Sequence, residues 1–310
     1  MATANVAENG QQKTVEQIFC LEGLTDKISG QLIFILVLNS LLSVSAFLGN
    51  ALILIALHKE SSFYPPSKLL LRCLATTDLC VGLIAEPLTV TCLISVLNEH
   101  WNMCRYISAA GFITGNILCG VSLFAITAIS VDRLLALLLG LRYRQVVTLQ
   151  RTFGVVIALW FVSTVFSAMF FWKPIITFWY GTVGIPLGLI TSILSYTKIF
   201  LTLRNHQNQV QDHVRQPNKT NQLNIARYKK AVSTAVWLQL TLVVCYLPFG
   251  VVTALATSGG RSSSVYKAWY YAVSLVYLNS SINPILYCWK IEEVRQAVKE
   301  TIRQLSYNFI

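Results

Sequence analysis

Long apolar runs dominate this chain. Seven of them, near 32–57, 69–94, 107–139, 152–172, 175–203, 230–256 and 268–289, are each long enough for a helix to cross a hydrocarbon layer, which takes ~20 residues. Short connections separate them. The pattern predicts an all-α membrane protein: a seven-helix bundle over 32–289, an N-terminal segment over 1–31 and a short tail over 290–310. After the last run, Trp289, Ile291, Val294, Val298 and Ile302 alternate with Lys290, Arg295, Lys299 and Arg303. That spacing predicts an amphipathic eighth helix lying on the inner leaflet against membrane lipids.

Composition supports this reading. The 310 residues are 55% hydrophobic and 12% charged, and a mean hydropathy of +0.58 is more than a soluble domain of this size tolerates. A net charge of +11 would suggest nucleic acid in a soluble protein, but its distribution explains it otherwise. Lys13, Lys27, Arg105, Lys173, Arg261 and Lys267 fall on the side of the N-terminus, and the other eighteen of the twenty-four basic residues lie opposite. The positive-inside rule then puts the N-terminus outside and the tail in the cytoplasm, as in a multi-pass plasma-membrane protein. The first thirty residues lack the apolar core of a signal peptide, so the first helix is expected to direct insertion. Most of the eight cysteines fall inside helices and read as small apolar packers; Cys20 and Cys104 fall on the oxidising outer side, with Cys92 near that edge.

Polar groups inside the runs carry more information, because hydrocarbon makes them expensive. In the last run Asn279, Ser280, Ser281, Asn283 and Pro284 lie between Tyr277 and Tyr287. Proline there frees a carbonyl and allows a kink. Asn283-Pro284-Ile285-Leu286-Tyr287 resembles the Asn-Pro-x-x-Tyr motif of rhodopsin-like G-protein-coupled receptors. Similar matches occur in order along 32–305: Gly49-Asn50, Leu74-Ala75-Thr76-Thr77-Asp78 with Pro87, Asp132-Arg133-Leu134 with Leu141-Arg142-Tyr143, Trp160, and Cys245-Tyr246-Leu247-Pro248-Phe249. The chain departs from the family at Tyr246, where Trp is usual, at Gly140, where Pro is usual, and in the fifth helix, where Pro186 precedes Tyr196 by ten residues instead of eight. About 172–180 remains for the second outer loop, which has no cysteine; such a loop is similar to the melanocortin, adenosine and lipid-receptor branches.

The resemblance implies a receptor that binds an extracellular small molecule or peptide, drives nucleotide exchange on a heterotrimeric G protein and does no chemistry of its own. Asn50, Ser122, Asn279, Ser280 and Asn283 stand at family positions around Asp78. One carboxylate among neutral oxygens suits a small hard cation, which the family implies to be sodium; a protonated, hydrogen-bonded acid is the alternative. At the inner end, Asp132 is expected to hold Arg133 until activation, with Tyr196 and Tyr287 filling the space that Arg133 leaves. Tyr228 occupies the position where many relatives have a restraining acid, so basal activity is expected. The outer pocket is expected to use Glu86, Thr89, Thr114, Asn116, Tyr246, Phe249, Tyr270 and Tyr277. Gly115 stands where amine receptors have an Asp, and Tyr277 where photopigments have the retinal lysine, so neither an amine nor retinal is expected. Glu86 has two readings: recognition of a cationic group, or a carboxylate that caps backbone beside Pro87 or faces water. The family's usual disulfide to the second outer loop cannot form. Cys104 is expected to bond to Cys20 instead and tether the N-terminal segment over the pocket, two free thiols being the alternative. Thr301 and Ser306 are the only tail hydroxyls expected to take phosphate. A transporter or channel remains the competing class, although no internal repeat supports it. No His, Asp or Glu pairing within the runs points to an enzyme, and no role with nucleic acid is expected.

Overall fold

The computed structural model describes residue 20 and residues 25–59, 64–213, 237, 240–255, 263–290 and 292–308. They form a helical bundle: α1 (Thr25–Lys59), α2 (Pro65–Leu97), α3 (Trp101–Leu139), α4 (Leu149–Ala168), α5 (Pro174–His213), α6 (Leu240–Leu255), α7 (Ser263–Lys290) and α8 (Glu292–Asn308). The first five are long and apolar enough to cross a membrane. In α6 the described residues are a shorter apolar stretch, and α7 is diluted by its own serines and asparagines. Outward-facing Phe34, Leu41, Phe161 and Leu194 give the bundle an apolar exterior, as a hydrocarbon solvent requires. Inside, Ile53, Leu71, Leu74, Leu123, Ile126, Leu242 and Tyr287 form the main core.

Prolines stand inside α2, α5, α6 and α7, and α1 repairs the backbone that those of α2 and α7 interrupt. Pro87 follows a π turn at Val81–Ala85, where the Glu86 amide bonds to the Val81 carbonyl. In that register the next amide would be that of Pro87, which has no hydrogen to give, so the Gly82 carbonyl loses its partner. The Ser43 hydroxyl donates to it at 2.6 Å. Pro284 likewise deprives the Ser280 carbonyl, and the Asn50 side chain donates to that oxygen at 3.0 Å. Both repairs demand close backbone approach. A Cβ on Gly82 would meet the Phe47 nitrogen and Ser43 oxygen at 2.8 Å, and one on Gly49 would meet Pro284 at 3.0 Å. The Gly-Asn pair of α1 thus combines room for Pro284 with a donor for the carbonyl it frees.

Other boundaries follow local chemistry. Pro65 and Pro66 open α2, where a missing amide hydrogen costs nothing. Gly140 ends α3 at φ +50°, a conformation that favours glycine. Between α4 and α5 only Met169–Phe171, Trp172 and Lys173 intervene, so the connection is shorter than the 172–180 expected, because α5 already begins at Pro174. Its first turn is anchored by Thr177, which donates to the Phe166 carbonyl at 2.9 Å. Cys104 lies one turn into α3 and is bonded to Cys20, with Cα atoms 6.2 Å apart, as expected. In α8, Val294, Ala297 and Val298 are buried against Ile53, Ala56 and Leu57 of α1, and Lys59 donates to Gln304. Part of the apolar face assigned to lipid is therefore docked on protein; Trp289 and Ile302 remain exposed. Thr301 is also buried, its hydroxyl bonded to the Ala297 carbonyl, so it is not the accessible phosphosite expected.

Candidate functional site

Three polar layers occupy the bundle. The first, at the Cys104 end, is a cavity of about 100 Å³ walled by α2, α3, α5, α6 and α7. Thr89, Asn116, Tyr246, Phe249, Tyr270 and Tyr277 all line it, as expected. Thr89 and Tyr277 share a hydroxyl hydrogen bond of 3.1 Å, and Tyr246 donates to the Cys119 carbonyl at 3.2 Å. Gly115 leaves room for the Tyr277 hydroxyl, which would lie 3.3 Å from a Cβ there. Among the described residues, no ionisable carboxylate, ammonium or guanidinium group is on the wall.

Glu86 and Thr114 do not belong to this wall. The π turn inserts a residue before Glu86 and so rotates it by about a hundred degrees relative to a regular helix. Glu86 is fully buried, and neither carboxylate oxygen has a hydrogen-bond partner among the described residues. It therefore neither faces water nor caps the backbone. Thr114 is half-buried on another face of α3. Missing from the expected set were Phe112, Trp269 and Tyr180. Phe112 packs on Phe170, Phe178 and Trp269 with ring centroids 5.2, 5.3 and 6.2 Å away. One turn before Gly115, it shares the cavity face of α3, and that spacing could have found it. Tyr180 was assigned to a loop that is helix.

The second layer surrounds Asp78, which is fully buried. Ser122 and Ser280 donate to its Oδ1 at 2.9 and 2.8 Å, and Asn283 donates to Oδ2 at 2.7 Å. Of the expected set, Ser122, Ser280 and Asn283 thus converge on Asp78 from α3 and α7. Asn279 is buried too, but neither of its amide atoms has a partner among the described residues, and the same holds for the Asn50 Oδ1. Unsatisfied buried amide oxygens are costly, and oxygens beside a carboxylate are the donor type that a hard monovalent cation takes. The residues present fit sodium.

The third layer is at the Arg133 end. Asp132 was expected to hold Arg133, but it does not. Its Oδ2 accepts from Ser67 at 2.9 Å and its Oδ1 from Tyr143 at 2.6 Å, which leaves the neighbouring guanidinium exposed. The side chains of successive helix residues point ~100° apart, so a buried Asp132 and an outward Arg133 need different partners. Tyr143, on the single helical turn Tyr143–Val146, is set against Tyr64, whose ring lies 5.3 Å away and whose hydroxyl donates to the Val147 carbonyl. Tyr196 and Tyr287 are both buried nearby in the core. Tyr228 lies outside the described residues.

Comparison with known proteins adds two findings. Residues 49–174 and 169–287 match the family described as "7 transmembrane receptor (rhodopsin family)". Adenosine receptor A2b of Gallus gallus is 24% identical over 312 residues, covering 87% of this chain and 88% of that protein.

Proposed function

The chain belongs to the rhodopsin family of seven-transmembrane receptors and is a G-protein-coupled receptor; we propose that it takes a neutral, flat-ringed small molecule at its Cys104 end and engages a heterotrimeric G protein at its Arg133 end. The N-terminus is read as extracellular and the membrane as the plasma membrane, because the basic residues concentrate on the Arg133 side. The cavity wall carries the ligand reading. It offers aromatic rings and a few neutral hydroxyl and amide groups, with no acid among the described residues to pair an ammonium. Since a relative is named an adenosine receptor, nucleosides head the panel to test. In cells expressing a promiscuous G-protein reporter, neutral ring compounds are expected to activate, and Phe112→Ala to abolish the response at unchanged surface level. An amine that activates strongly and loses potency when its charge is removed would contradict the reading.

Asp78, Ser122, Asn279, Ser280 and Asn283 are assigned to sodium, which when bound supplies the counter-charge to the carboxylate. The single observation behind the assignment is a fully buried acid in a bundle interior where Asn50 and Asn279 also bury amide oxygens with no hydrogen-bond partner among the described residues. Asp78 draws α2, α3 and α7 together, so a cation there favours the arrangement in which those hydrogen bonds persist. A ligand shifts a two-state equilibrium only by its differential affinity. Raising sodium is therefore expected to weaken agonist binding by roughly tenfold, equivalent to about 1.4 kcal/mol of differential affinity, and Asp78→Asn to remove the dependence. Equal sodium sensitivity in the variant would reject the assignment.

A further inference from the structure

Three of the eight cysteines meet at one point near the outer end of the bundle. Cys20 and Cys104 form the disulfide, and the Cys92 sulfur on α2 lies 4.0 Å from the Cys104 sulfur. All three belong to one cluster with Leu32, Leu93 and Tyr270. Cys92 is a buried free thiol whose sulfur is 3.7 Å from the Tyr270 hydroxyl. The Cys20 sulfur is 3.8 Å from the Ser108 hydroxyl, and both Cys92 and Ser108 line the ligand cavity.

We propose that Cys92 is a third disulfide-forming cysteine, which exchanges with Cys20 for the shared partner Cys104. The Cys92 thiolate attacks the Cys104 sulfur, a Cys92–Cys104 bond forms, the Cys20–Cys104 bond breaks, and the electron pair of that bond leaves on Cys20. The proton given up by Cys92 is matched by the one that Cys20 takes. One disulfide and one thiol stand on each side, so no oxidant or reductant is consumed. The sulfur under attack is one end of an existing disulfide and lies 4.0 Å from the attacking sulfur, and the leaving sulfur sits beside a hydroxyl that can hydrogen-bond it. The exchange needs an approach of about 2 Å between the sulfurs to reach bonding distance. Cys92 is buried, so attacking reagents reach it slowly and the exchange is slow unless a small-molecule thiol catalyses it.

The consequence concerns access to the cavity. In the Cys20–Cys104 form, residue 20 packs on the Phe112 and Trp269 rings as well as on the Cys92 cluster. In the Cys92–Cys104 form, α2 and α3 are joined by a bond spanning 12 residues, and the chain at residue 20 is released from the cavity rim.

The test is disulfide mapping of the full-length receptor, quenched in acid, alkylated in denaturant and digested without reduction. Wild-type protein incubated with a low concentration of glutathione is expected to yield both linkages, with the alkyl label moving from Cys92 to Cys20 as the second accumulates. Cys92→Ser should yield only Cys20–Cys104, and Cys20→Ser, taken from the cell surface, only Cys92–Cys104. Wild-type protein in which Cys92 carries the label and Cys20 does not at every time point would overturn the proposal. So would a surface-expressed Cys20→Ser protein with both Cys92 and Cys104 alkylated. If Cys20→Ser fails to reach the surface, the wild-type and Cys92→Ser maps decide the matter.

Discussion

Gly82→Ala is expected to lose most of its folded, surface-delivered receptor, while Gly30→Ala and Gly154→Ala behave as wild type. The three substitutions add the same methyl group to three helices. At Gly30 and Gly154 it would meet nothing within 4 Å, whereas at Gly82 it would meet two backbone atoms of α1 at 2.8 Å. Backbone cannot swing aside as a side chain does, so α1 and α2 must separate. Overpacking of this kind costs about 1–3 kcal/mol. Separation also withdraws the Ser43 hydroxyl from the Gly82 carbonyl, and an orphaned buried acceptor costs a further 1–3 kcal/mol or so. Together, at about 2–6 kcal/mol, these reach the lower end of the stability of a typical domain, roughly 5–15 kcal/mol. Surface labelling and a thermal melt of detergent-extracted receptor would measure the effect. A Gly82→Ala protein that melts with the two controls would refute the account of the π turn.

Arg133→Ala is expected to cut agonist-driven nucleotide exchange by tenfold or more, ~1.4 kcal/mol in coupling, with surface expression close to wild type. Arg133 is exposed, so its removal leaves no cavity in the core. Its companion prediction has the opposite logic. Because Ser67 and Tyr143 occupy Asp132, the arginine is not restrained by its neighbour, and wild-type receptor should exchange nucleotide measurably without ligand. Tyr143→Phe returns one carboxylate oxygen to Arg133 and should lower that basal rate. Assays of nucleotide loading on purified G protein would show both effects. Basal exchange unchanged in Tyr143→Phe would mean that the Asp132–Tyr143 bond has no part in restraining or releasing Arg133.

What the residues alone revealed depended on contrast. Asp78, Ser280 and Asn283 were legible because each is a polar group in an apolar run, and burial without partners is too costly to leave them apart. The helices themselves were legible for the converse reason. Misreadings arose where the register or path of the backbone departs from a simple rule. Glu86 has the composition of a pocket residue, yet one π turn carries it out of the wall. Tyr180 was hidden because it falls within the stretch 172–180 read as the second outer loop, whereas Pro174 already starts a helix. The engagement of Asp132 by Tyr143 joins α3 to the turn that follows it, and no periodicity reports a contact made after the chain reverses. Cys92 was visible near the outer edge, but its 4.0 Å approach to Cys104 depends on how α2 and α3 close around a tight turn.

The bond between Cys20 and Cys104 also has a meaning for biosynthesis. Two membrane-spanning helices, α1 and α2, separate these residues, so the two sulfurs can meet only after both helices have been threaded and the start of α3 has returned to the side of the N-terminus. A nascent chain with α2 left uninserted would hold the sulfurs on opposite faces of the bilayer. The disulfide is thus a covalent record of the insertion of α1 and α2, and its formation requires nothing of α4 to α7.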